Sequence, residues 1–115
     1  VYVGNIKNIP SVKVDAPGVV NAVKQTLIGP EHGWEGWVMR LFTLGTGGNT
    51  PKHSHPWPHI NYVVCGEGTV LMDGKEQPLT AGSVAYIPGG AEHQFKNTGE
   101  NELAFICIVP EEGDI

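Results

Sequence analysis

Apolar positions fall in short runs, each closed within a few residues by glycine, proline, asparagine or aspartate. WVMRLFTL (37–44), INYVVC (60–65), SVAYIP (83–88) and ELAFICIVP (102–110) are rich in β-branched and aromatic residues and read as strands. WVMRLFTL is apolar at both parities, so both of its faces should be covered. TVLM and KEQPL flank Asp73-Gly74, a pair that supplies the positive φ angles of a two-residue hairpin turn. HQFKN (93–97) reads as a shorter strand. VVNAVKQTLI (19–28) reads as a strand too, although periodicity alone leaves a short helix open. GPEHGWEG, GTGGNTP (45–51), GEG, TAG, GGAE and TGEN read as turns or loops. Residues 1–18 break into short extended pieces that suggest an arm, and the polar EEGDI stretch is expected to fray. About eight to ten short strands at this spacing indicate an antiparallel sandwich or barrel.

Length and composition narrow the picture. The chain has 115 residues, of which 40% are apolar, enough for one packed domain over 1–115. No stretch of about eighteen apolar residues occurs, so no membrane span is expected. No charged-then-apolar leader is visible, although a chain starting at Val1 leaves a removed leader open. The net charge is −5 without a basic cluster, which argues against a nucleic-acid partner. Cys65 and Cys107 lie in apolar runs and read as buried free thiols, in keeping with a reducing, cytoplasmic compartment. GTGGNT lacks the Lys-Ser/Thr ending of a phosphate-binding loop, and no Ser-His-Asp arrangement appears.

The stretch KHSHPWPHINYVVCG changes the picture most. Three of the five histidines, His53, His55 and His59, fall within seven residues. In extended chain His53 and His55 point to one side. Pro56 and Pro58 lack an N–H and force a bend, after which His59 can open the next strand facing the same interior. Such convergent imidazoles suit a divalent transition metal: zinc, copper, iron, nickel or manganese. A solvated loop in which histidines merely accumulate is the plainer alternative. Zinc-finger spacing is absent, because the cysteines are not paired with these histidines.

Two gapped patterns carry a resemblance. Gly47-x5-His53-x-His55-x3-His59-x6-Gly66 is followed, after a short spacer, by Gly82-x5-Pro88-x-Gly90-x2-His93-x3-Asn97. In register these resemble the two signature motifs of the cupin superfamily, with His93 as the fourth ligand. The resemblance implies an all-β double-stranded β-helix, or jelly-roll barrel, with one metal per chain. The family's first motif usually carries glutamate where this chain has His59. WVMRLFTL, HSHPWPH and FICIVPEEG are similar to a smaller four-histidine subgroup associated with manganese. Replacing a carboxylate by a neutral imidazole leaves a divalent site at a charge of +2 instead of +1, which should favour anionic ligands. Four protein ligands also leave up to two open positions in an octahedral shell. Small cupins usually dimerise, so a homodimer acting on a small molecule is the implied assembly.

Other polar and aromatic residues surround this motif. Arg40 shares a parity with Val38, Phe42 and Leu44, and an arginine on an apolar face needs an acidic partner or an anionic ligand. In the four-histidine relatives the matching arginine looks inward, which implies that Arg40 orients substrate. Asn61 should share the inward face of His59, to hold a substrate oxygen or a histidine's second nitrogen. Phe105 and Cys107 share a parity; core packing is their plain reading, and the resemblance puts them at the cavity mouth, with Thr50 nearby. Trp57 reads as a packing or dimer-contact residue, His32 as a surface histidine, and Tyr86 as facing either the cavity or the outer layer. Three functions fit the resemblance: a metal-dependent oxygenase of the dioxygenase type, an isomerase or decarboxylase, and a non-enzymatic metal-dependent binding module. Fold alone does not choose among them.

Overall fold

The computed structural model describes residues 1–114. Nine strands build one curled sheet in which every ladder is antiparallel, and no α-helix occurs among the described residues. This is the all-β jelly-roll architecture anticipated from the strand spacing and motifs. The strands are β1 (Val12–Lys13), β2 (Val20–Ile28), β3 (Trp37–Asn49), β4 (His59–Cys65), β5 (Gly68–Met72), β6 (Lys75–Leu79), β7 (Val84–Ile87), β8 (His93–Asn97) and β9 (Leu103–Pro110). Their order is β6-β5-β8-β3-β9-β4-β7, with β2 pairing β3 and β1 pairing β2.

The curl depends on β3. Trp37 to Leu44 pair with β9, whereas Asn49 at its far end pairs with Lys96 of β8, so one strand belongs to both walls. Residues 45–49, read from their glycines as a turn, are strand with a wide irregularity against β2. The glycines serve close approach: a Cβ on Gly48 would lie 2.8 Å from the Asn21 and Gly45 carbonyl oxygens. Residues 20–28 are strand and not helix. Asp73 and Gly74 both have positive φ, 48° and 83°, and close the β5–β6 hairpin as their sequence requires.

Alternation places Leu44, Val63, Val70, Ile87, Phe95, Leu103 and Phe105 inside, where Phe105 stacks between Phe42 and Phe95. Burial of this group supplies most of the driving force for folding. On the outer side, Leu41 and Ala104 are covered by Leu27 of β2 and Ile9 of the arm. The covering of WVMRLFTL is therefore partial: Leu41 is buried and Trp37 remains exposed. Further along the same outer side, Ile60, Tyr62, Val84 and Tyr86 are also exposed.

Three local expectations are corrected. Cys65 ends β4 on the solvent side and is exposed, so only Cys107 is a buried thiol. His32 is packed instead of free on the surface: its Nδ1 accepts from the Gly29 N–H at 3.1 Å, and its ring lies 4.1 Å from that of Tyr2. Of the EEGDI stretch, Glu111–Gly113 form a 3-10 turn with Gly113 buried against Trp57 and Val109, and Ile115 lies outside the described residues.

Candidate metal centre

The interior opens into a cavity of about 810 Å³ lined by His53, His55, His59 and His93. Reciprocal backbone bonds fix the first pair: His53 N–H donates to His93 O at 3.1 Å, and His93 N–H to His53 O at 2.9 Å. Between His55 and His59 the chain turns through Pro56, Trp57 and Pro58 before β4 begins. The loop before His93 passes close beneath that turn. A Cβ at Gly89 would overlap the Pro56 carbonyl, and the Gly90 N–H, at φ 85°, donates to His55 O at 2.8 Å. The glycines of the second motif thus hold the first motif in place.

His53, His55 and His93 bring donor atoms that all lie within 4.8 Å of one another. His59 stands beside this trio: its Nε2 is 3.2 Å from His93 Nε2, and its ring centroid is 5.2 Å from that of His55. Three of the four imidazoles have their outer nitrogen committed. His55 Nδ1 donates to Trp57 O at 2.7 Å, His59 Nδ1 to Asn61 Oδ1 at 2.7 Å, and His93 Nδ1 to Ala91 O at 2.9 Å. A neutral imidazole has one N–H, so these rings turn bare Nε2 lone pairs inward. The short contact between His59 and His93 therefore cannot be a hydrogen bond between neutral rings. It juxtaposes two lone pairs, an arrangement that a bound cation relieves.

Protonation is disfavoured as the source of that cation. Burial foremost, then the facing His93 and His55, push His53 down to about 4. Burial does the same at His59, also to about 4, against the opposing bond from Asn61 and with help from His93, His55 and Arg40. His93 is likewise lowered, chiefly by burial. His53, His59 and His93 are thus disposed to stay neutral, three of the four rings are fixed in orientation by outer hydrogen bonds, and this set of nitrogen donors fits a divalent transition metal.

The surrounding residues fall as follows. Arg40 is 7% exposed and faces the cavity; its Nη2 donates to Cys107 Sγ at 3.0 Å, and its Nη1 lies 3.6 Å from Asp114 Oδ1. It also sits over the Phe42 ring, 4.9 Å from the centroid. Arg40, Cys107 and Asn61 are successive cross-strand partners on β3, β9 and β4, which makes one polar row across the inner wall. Burial raises the Cys107 thiol, against the lowering influence of Arg40, so the sulfur is held uncharged. Thr50 and Phe105 line the same cavity, and Thr50 Oγ1 accepts from the Phe95 N–H at 2.9 Å. Trp57 also lines it, stacked on His55 with 12° between the rings. Tyr86 faces outward, 61% exposed, and His32 takes no part. The sequence reading missed Lys24, Asp114 and residues 12–16, which stand at or beside the cavity wall. Lys24 carried a faint signal, a lysine on the parity of buried Ala22; Asp114 carried none.

The chain belongs to the cupin domain family, whose model matches residues 40–109. Among characterised relatives, the oxalate-binding protein of Thermotoga maritima is 34% identical over 74 residues, 61% of each chain. Auxin-binding protein 1 of Arabidopsis thaliana is 32% identical over 117 residues, covering 93% of this chain and 58% of that protein. The chain thus spans about three fifths of the length of either. The polyketide cyclase RemF of Streptomyces resistomycificus superposes with a TM-score of 0.89 at 24% identity, covering 96% of this chain and 79% of its own, and shows the shared fold.

Proposed function

We propose that the chain holds one divalent transition metal through His53, His55, His59 and His93, with manganese the foremost candidate, and acts there on a small organic molecule. The observation that carries this is the contact between His59 and His93, two Nε2 lone pairs 3.2 Å apart with both outer nitrogens already bonded. A metal in this place supplies Lewis acidity and a meeting point for substrate and dioxygen. The residues do the rest. Arg40 orients a negative substrate group, Asn61 holds His59 in its ligating tautomer, and Phe105 and Trp57 keep the cavity wall apolar.

In its enzymatic form the proposal is a dioxygenase-type reaction on an oxygenated or unsaturated substrate. A second reading, binding without turnover, draws on the oxalate-binding and auxin-binding relatives. Isomerisation without oxygen calls for a general base, and the Cys107 thiol beside the site is held protonated. Metal analysis with electron paramagnetic resonance of protein from its own host tests the site. Oxygen uptake with candidate organic acids then separates oxygenase from binding module. Absence of any bound transition metal would overturn both.

A further inference from the structure

Arg40 is a buried cation with poor compensation. Of its five N–H donors, one reaches an uncharged thiol, and its Nε has no partner among the described residues. Its one carboxylate among the described residues, Asp114, lies at 3.6 Å, beyond hydrogen-bond length, and is shared with Lys24 Nζ at 3.4 Å. A buried guanidinium ordinarily demands closer anionic partners. The cavity wall adds Lys13 and Asp15, so among the described residues Lys13, Lys24 and Arg40 oppose Asp15 and Asp114.

Asp114 stands on a short segment. That segment is a single 3-10 turn, tied by Glu111 N–H to Gly36 O at 2.9 Å and by Asp114 N–H to Glu111 O at 3.1 Å. Gly113 packs against the indole of Trp57, whose ring lies over the ligand candidate His55. The carboxylate therefore sits where a ligand's carboxylate would meet Arg40 and Lys24, on a short segment. We propose that Asp114 is an internal competitor for an anion seat formed by Arg40 and Lys24: a small organic carboxylate displaces it, and the Glu111–Asp114 turn moves off Trp57 as the ligand enters. This rests on reading Arg40 as an anion anchor. It adds that the unliganded protein fills the seat with its own side chain.

The test is titration with malonate, read by calorimetry and by tryptophan emission, on protein as purified and again after metal removal. Asp114→Asn keeps the side chain's shape and removes the competing charge. It should tighten malonate binding about tenfold, and Arg40→Met should weaken it by about as much, the scale of one charge-assisted contact. Malonate should also shift the emission of the parent protein, and that response should vanish in Trp57→Phe. If Arg40→Met weakens binding and Asp114→Asn leaves it unchanged or weaker, the anchor stands and the competitor is overturned. If neither changes affinity, the anchor itself is wrong and the competitor falls with it. Should Arg40→Met not fold, Lys24→Met in the Asp114→Asn background takes its place: weaker malonate binding supports the seat, and unchanged binding refutes it.

Discussion

His59 Nδ1 donates to Asn61 Oδ1 at 2.7 Å, two residues along the same strand and on the same inner face. The bond fixes both the ring's orientation and the nitrogen left bare for a metal. Asn61→Leu, close in size, should therefore lower metal affinity about 10–100-fold, the usual effect of removing such an outer partner. Competition with a chelator of known affinity measures it. Equal affinity in parent and variant would show that His59 is oriented by packing alone.

Replacing His53, His55, His59 or His93 singly by alanine should sharply reduce metal content while leaving a folded barrel. The apolar interior lies largely with residues such as Leu44, Leu103 and Phe105, and not with the imidazoles. His59 is the informative position, because it touches the trio through one short contact. Metal content of His59→Ala equal to the parent's would reduce the site to three histidines.

His59→Glu should retain metal and bind azide more weakly, since it lowers the site's charge by one unit. Azide titration followed by electron paramagnetic resonance gives the comparison. Tighter azide binding in the glutamate variant would contradict the electrostatic argument.

The metal-free protein should lose stability as pH falls from about 6.5 toward 4. An unfolded histidine titrates near 6.5, whereas His53 and His59 in the fold are pushed down to about 4 and His93 is lowered as well. Across that window the unfolded chain binds protons that the folded one refuses, so acid favours unfolding. Above it these groups contribute no slope. Melting temperature at pH 7.5, 6 and 5 checks this, and His59→Gln should flatten the profile. An equally steep profile in that variant would assign the acid sensitivity elsewhere.

The outer side of β4 and β7 presents two apolar cross-strand pairs, Ile60 with Tyr86 and Tyr62 with Val84, all exposed in the single chain. Pairing with a second copy would cover them. Sedimentation at micromolar concentration should give a mass near twice 12.3 kDa, and Val84→Asp should halve it. A monomeric parent would leave this face for some other partner.

Strand alternation and turn chemistry made the barrel readable in advance, because both act locally. Asp73-Gly74 announced its hairpin, His53, His55 and His59 announced their convergence through spacing, and His93 joined them through the resemblance of its motif to the family's second signature. Where the reading failed, distant contacts decided. Gly45 to Gly48 look like a turn until Asn21 is seen pressed against them. The Glu111–Asp114 stretch looks free until Trp57, Lys24 and Arg40 hold it. Cys65 shares its apolar run with inward residues, but an irregularity in the β4–β9 register after Val63 leaves it outside.

The reciprocal backbone bonds between His53 and His93 join two points far apart in the chain. Closing such a loop costs entropy whenever it happens, and here main-chain hydrogen bonds close it independently of the side-chain nitrogens. An incoming ion should therefore meet imidazoles already gathered, its coordination energy going into affinity instead of into organising the polypeptide. The relation is the reverse of that in a small zinc module, where stripping the ion unfolds the chain. In this barrel a chelator would leave the walls standing around an intact, reloadable cage.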